Sequence, residues 1–165
     1  MNLSYWERTS WFANIDYTIV GSGIVGLNCA LELKNKHPQA RILILEKGML
    51  PQGASTKNAG FACFGSISEV LSDLKIHSEE DVVKLVQDRH DGIQNLRGLL
   101  GDDAIAYENN GGHELFFESD QELFEHCHHK IKMVNEMLHP VFKDDAFRRT
   151  TNRFNFKGIN KHYIT

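Results

Sequence analysis

Six consecutive residues near the start of the chain, Gly21-Ser22-Gly23-Ile24-Val25-Gly26, suit backbone chemistry more than side-chain chemistry. Gly21 permits a tight turn out of a strand, Gly23 lets the main chain approach a pyrophosphate, and Gly26 lets a helix pack close to that strand. The first free N–H groups of the helix, around Ile24 and Val25, then point at an anion with the positive end of the helix dipole behind them. Glu46 follows Gly26 by about 20 residues, the spacing of an acid that binds a ribose hydroxyl. Together these residues imply a dinucleotide site. An acid at that position disfavours a 2′-phosphate on charge grounds, so NADP is not expected.

A glycine pattern alone is weak, and its meaning depends on the elements around it. Tyr17-Thr18-Ile19-Val20 is β-branched and apolar, which predicts a short buried strand running into the glycines. Ile24, Leu27, Ala30, Leu31 and Leu33 recur at helical spacing, and Pro38 stops the helix. Arg41-Ile42-Leu43-Ile44-Leu45 reads as a second buried strand. Strand, helix and strand in so short a span predict a parallel βαβ unit. Ahead of it, residues 1–15 carry Tyr5, Trp6, Trp11 and Phe12 and read as a short helix or arm.

Beyond Glu46 a loop of small and polar residues runs from Gly48 to about Gly65, followed by helices near 66–76 and 79–100. Ser78 and Asp81 read as a capping box for the second. Asn110-Gly111-Gly112 predicts a hairpin between 105–109 and 113–118. Ser119 and Glu122 open a further helix to about Leu138, with Pro140 beyond it, and 158–164 reads as a strand. Leu71, Leu74, Val82, Val83, Leu85 and Val86 are core stripes.

Composition and spacing do not separate FAD from NAD, since both use such a corner. The discriminating segment is Gly53-Ala54-Ser55-Thr56-Lys57-Asn58-Ala59-Gly60-Phe61, small and hydroxyl-bearing with one cation. Taken with GSGIVGLNCALEL and ILILEKG, it resembles the D-amino-acid oxidase-like superfamily of FAD-dependent oxidoreductases, which includes glycine, sarcosine and γ-glutamylputrescine oxidase-type enzymes. The match covers 16–61. Ser4-Tyr5-Trp6 resembles the aromatic arm of the last branch, and Gly111–Phe116 loosely resembles the start of the family's substrate sheet.

The resemblance implies FAD as cofactor. Gly21, Gly23, Ile24, Val25 and Gly26 would form the phosphate corner, and Glu46 with Lys47 would hold the adenosine ribose. Ser55, Thr56, Lys57, Asn58, Ala59, Gly60 and Phe61 would wrap the pyrophosphate and pass the isoalloxazine ring. Lys57 stands where arginine is common, keeping the charge but losing the planar fork.

The fold expected is α/β, with an N-terminal arm and Rossmann-like FAD-binding segment over 1–77 and a partial α+β substrate-domain segment over 78–165. The function implied is oxidation of the C–N bond of an amine or amino acid by hydride transfer to flavin. The alternatives are an NAD-dependent dehydrogenase and a non-catalytic dinucleotide-binding module. Complete members of the family are considerably longer, so the chain reads as an N-terminal part, expected to bind FAD weakly and not to turn over alone. No catalytic residue is assigned.

His126-Cys127-His128-His129 puts His126 and His129 on one helix face beside Lys130, with His113 the nearest extra candidate ligand. A second pair of zinc ligands is not evident, so a solvated helix face is expected and no metal is assigned. Cys63 is open to a covalent flavin link or, as the plainer reading, to being a small packed residue. Asp102 and Asp103 have no partner suggesting acid–base work. A formal net charge of −4 and scattered Lys and Arg argue against a nucleic-acid partner. No apolar stretch approaches the ~20 residues of a membrane span. Three unpaired-looking cysteines, Cys29, Cys63 and Cys127, point to a reducing compartment and hence the cytoplasm.

Overall fold

The chain order is α1 (Tyr5–Trp11), β1 (Tyr17–Val20), α2 (Ile24–Lys36), β2 (Ile42–Leu45), α3 (Ile67–Asp73), α4 (Glu79–Leu100), α5 (Gln121–Phe142), β3 (Arg149–Thr151) and β4 (His162–Ile164). This comes from a computed structural model that describes residues 3–154 and 156–165. The arrangement is a mixed α/β one with a small parallel sheet. Two compact units divide it, Met1–Phe61 and Ala62–Thr165. The division falls earlier than the 77/78 boundary expected from sequence. The reason is that α3 buries Ile67, Val70 and Leu71 in the core of the second unit.

In the first unit β1 and β2 pair in parallel, from Tyr17 opposite Ile42 to Val20 opposite Leu45, with α2 between them in sequence. Asp16 fixes where the pairing starts, its N–H donating to the Arg41 carbonyl and its carboxylate accepting from the Arg41 N–H. Pro38 lies just past the end of α2, and the His37 N–H closes that end on the Leu33 carbonyl. Strand burial differs from expectation. Helix α2 packs on this sheet of two strands, and Val20 is 85% exposed while Ala40 is the one buried hydrophobic described in this unit.

The second unit has a continuous core. Ile67, Val70 and Leu71 of α3, Val82 and Val86 of α4, and Phe124, Cys127, Val134, Met137 and Leu138 of α5 pack with Phe116, Phe147 and Ile164. Leu74 and Val83 flank it, whereas Leu85 points to solvent, contrary to its expected core role. Burial pushes the Cys127 thiol up to about 11, so it behaves as a small apolar side chain. The buried Asn135 amide donates to the Phe147 carbonyl at 2.8 Å and accepts from the Phe147 N–H at 2.9 Å. That pair of bonds fastens the segment leading into β3 onto α5.

The predicted hairpin across Asn110–Gly112 does not form. Its first arm is captured instead by the end of α4. Arg97 grips Asp102 through two bonds of 2.8 Å and lies over the Tyr107 ring at 4.3 Å. Asp102 is held below its ordinary range by that guanidinium, a structural use of the acid. The second arm pairs with the C-terminal segment, Glu114 opposite Ile164 and Phe117 opposite Ile159. Gly111 keeps a φ of +70°, so the turn residue is as expected while its strand partner is not. A 3-10 turn at Glu118–Asp120, not a Ser119 cap, leads into α5, which then continues through Pro140 to Phe142. Val141 and Phe142 pack against the core, which offsets the backbone bond that Pro140 forgoes near the helix end.

Replacing Asn135 by Ala leaves a buried N–H and carbonyl of Phe147 unpaired. Chemical denaturation should show a loss of about 2–4 kcal/mol for Asn135→Ala. A loss below about 0.5 kcal/mol would show that the clamp does not stabilise this unit.

Candidate functional site

The corner is built where β1 ends and α2 begins. Gly21 takes a φ of +97°, a turn that disfavours any side chain, and its N–H continues the ladder by donating to the Leu45 carbonyl at 2.7 Å. A Cβ on Gly26 would lie 2.2 Å from the Gly21 carbonyl oxygen and 3.3 Å from Cγ2 of Ile19. The helix therefore reaches the strand by backbone contact. Gly23 occupies the N-cap with no side chain to offer, and a Cβ there would meet Ser55 Oγ at 3.0 Å.

The N-terminus of α2 differs from those of the other helices. Serine caps open α1, α3 and α4, each with acids in the first turn, and α5 has Glu122 in its first turn. Helix α2 has neither a cap from its own N-cap residue nor an acid there. Its positive end is thus not neutralised by its own sequence. Ile24 N–H donates across the chain to Ser55 Oγ at 2.9 Å, tying the 53–61 loop to the corner.

Glu46, just past β2, closes on the same turn. Its Oε2 accepts from the Ser22 N–H at 2.9 Å and from the Ser22 hydroxyl at 2.8 Å, while Oε1 accepts from the Gly48 N–H at 3.2 Å. The Ser22 N–H, then the Ser22 hydroxyl, then the Gly48 N–H hold its carboxyl down at about 2. The nearby Lys47 N–H adds the smallest part of the same effect.

The 53–61 loop turns on itself. Ala54–Thr56 form one 3-10 turn, with Thr56 Oγ1 3.0 Å from the Pro51 carbonyl and 3.2 Å from that of Gly53. Asn58 donates to the Ser55 carbonyl and accepts from the Gly60 N–H at 2.8 Å, and Gly60 has a φ of +76°. Lys57 and Ala59 are exposed, and Phe61 is 85% exposed. The structure therefore brings Gly21, Gly23, Ile24, Gly26, Glu46 and Ser55 together. Val25 lies on the outer side of the first turn, and Lys57, Ala59 and Phe61 reach solvent. Sequence reasoning missed Ser22. The available signal was a hydroxyl between two glycines, one strand away from an acid.

The remaining candidates have structural surroundings. His128 stacks on Phe124 with ring centroids 5.9 Å apart, and His113 bonds to Thr165 and Arg153. Among the described residues, no three His, Cys, Asp or Glu side chains gather as a metal would require. Cys63 is exposed, in the irregular stretch before α3, and is not the packed residue expected.

A parallel strand–glycine turn–helix corner, closed by an acid from the next strand, is the site geometry of this α/β chain. The model of the DAO family, FAD dependent oxidoreductase, matches residues 16–151. The chain belongs to that family, and the cofactor of the family is FAD. Neither the curated proteins nor the solved structures give a match. No helix among the described residues is long and apolar enough to cross a membrane.

Two measurements check this geometry. Gly26→Ala forces the helix off the strand, so amide exchange at Gly21, Ile24 and Leu27 should accelerate while exchange in the 62–165 core does not; unchanged exchange would refute the close contact. Glu46 has its carboxyl depressed from 4.5 to about 2. Its contribution to the corner is thus complete above the ordinary value and lost as pH falls through the depressed one. Carboxyl 13C titration should find Glu46 still ionised at about pH 3, whereas a midpoint in the usual carboxylate range would mean the clasp is not formed.

Proposed function

We propose that these residues form the FAD-binding part of an oxidoreductase that oxidises the C–N bond of an amine or amino acid. The observation that carries the reading is the start of α2. It follows β1 directly, opens with glycine, has no acid in its first turn, and lies within the span matched by the FAD-dependent family. Such an end attracts phosphate through backbone N–H groups and the helix dipole. The donor set fits the cofactor, which is anionic at its centre and carries ribose hydroxyls at one end.

On this reading Gly21, Gly23, Ile24, Val25 and Gly26 receive the pyrophosphate, and Glu46 with Lys47 receives the adenosine ribose. Ser55, Thr56, Lys57, Asn58, Ala59, Gly60 and Phe61 form the strip that holds the pyrophosphate from the other side and borders the ring. Lys57 supplies a positive charge to this strip, and Phe61 an apolar surface. When bound, FAD supplies the acceptor for the hydride leaving the carbon next to nitrogen. The chain's own task is to bind and orient. The fold this reading favours is Rossmann-like in the unit that ends at Phe61, with the unit from Ala62 contributing to a substrate domain.

Purified chain titrated with FAD at equilibrium should quench or shift the flavin fluorescence saturably, and Glu46→Ala should weaken that binding at least about tenfold. Absence of bound flavin at saturating FAD, or stabilisation by NAD in its place, would overturn the cofactor reading. In the protein isolated from its source, amines or amino acids added anaerobically should bleach the flavin band. Bleaching by 2-hydroxy acids alone would overturn the C–N assignment. The 165-residue chain by itself is expected not to turn over, and steady amine-dependent peroxide production by it would refute that.

A further inference from the structure

The two oxygens of Glu46 are used unequally. Oε2 accepts two bonds, both from Ser22, through its N–H at 2.9 Å and its hydroxyl at 2.8 Å. Oε1 accepts one, from the Gly48 N–H at 3.2 Å. A carboxylate has about four acceptor positions over its two oxygens, so Oε2 is filled and Oε1 keeps one open. The Ser22 hydroxyl has a single proton, and that proton goes to Glu46, so this hydroxyl is not a donor to a phosphate. Glu46 is exposed, and without these bonds its side chain would be free to sample several rotamers.

Resting on the FAD reading above, we propose that Ser22 is a positioning residue that locks the Glu46 carboxylate by filling Oε2, leaving Oε1 to receive the adenosine ribose hydroxyl. Ser22 does not touch the nucleotide through its side chain; it acts through Glu46. The hydroxyl adds the bond that the Ser22 N–H alone cannot make, so a side chain without an oxygen leaves the acid held from fewer directions. The effect is specific to the ribose. A nucleotide lacking the ribose hydroxyls has nothing to gain from an oriented Glu46.

The test uses ADP and 2′,3′-dideoxy-ADP, titrated into the full chain by calorimetry. The wild type should prefer ADP by about tenfold, the worth of one hydrogen bond to a charged group. Ser22→Ala should bring that preference close to unity by weakening ADP while leaving dideoxy-ADP unchanged. Ser22→Thr, which keeps the hydroxyl, should restore it. Equal weakening of both nucleotides in Ser22→Ala would mean a merely structural role and would overturn the proposal. So would an undiminished preference. If the wild type binds FAD and both nucleotides with no preference, the proposal falls while the FAD reading stands. If the wild type binds neither FAD nor ADP, the FAD reading falls and this proposal with it.

Discussion

The contact between Gly26 and the Gly21 carbonyl sets the geometry of the corner where β1 passes into α2. A methyl group at Gly26 would sit 2.2 Å from that oxygen, so α2 lies against the end of β1 at a distance only glycine allows. That distance sets where the first N–H of the helix falls. Ile24 then lies within reach of Ser55, and Ser22 within reach of Glu46 at the end of the neighbouring strand. Each of these bonds joins residues more than 20 apart in sequence. Move the helix outward by a side chain and all of them lengthen together.

The two compact units are stabilised by different means. The 62–165 unit has a contiguous apolar core in which Phe124, Ile67 and Leu138 are fully buried. Among the described residues of the 1–61 unit Ala40 is the one buried hydrophobic, and Val20, Val25 and Ile24 are largely in water. Hydrophobic burial is the main favourable contribution to folding, so the first unit relies to an unusual degree on its sheet ladder, the Asp16–Arg41 pairing and the corner bonds. Local opening should therefore be easier there than in the 62–165 core. A ligand that binds the corner stabilises this unit by mass action, and the unit with the smaller core has the most to gain.

What could be read from the sequence follows from how local each signal is. Strand β1, helix α2 and strand β2 were legible to within a few residues, because β-branched runs, helical spacing and a terminating proline act over one element. Ser78 was legible as a cap for the same reason. The burial of Ile19 and Leu43 was not, since it depends on how many elements cover the sheet. The 105–118 hairpin failed for a related reason. Asn110-Gly111-Gly112 specifies a turn but not a partner, and Arg97 took the first arm while Ile159 and Ile164 took the second. At the site, the glycines and Glu46 were legible from spacing. Ser22 was not, because its role exists only once the two strands lie side by side.

On the proposed reading, the corner also has to reconcile opposite electrostatic demands. Phosphate is favoured by an unneutralised helix start, and ribose by an acid, yet the acid must not repel the phosphate it sits near. Helices α1, α3 and α4 all place acids in their first turn, the arrangement that satisfies a helix by itself. In α2 that acid is missing from the first turn, and the nearest equivalent is Glu46, from another strand. Its charge is met by the Ser22 N–H and hydroxyl on one oxygen and by the Gly48 N–H on the other, all outside the helix. The carboxylate is thereby kept ionised without drawing on the N–H groups of Ile24 and Val25. The Ile24 N–H goes to Ser55 Oγ, a neutral acceptor, so no carboxylate sits on the start of the helix and its positive end is left to an anion.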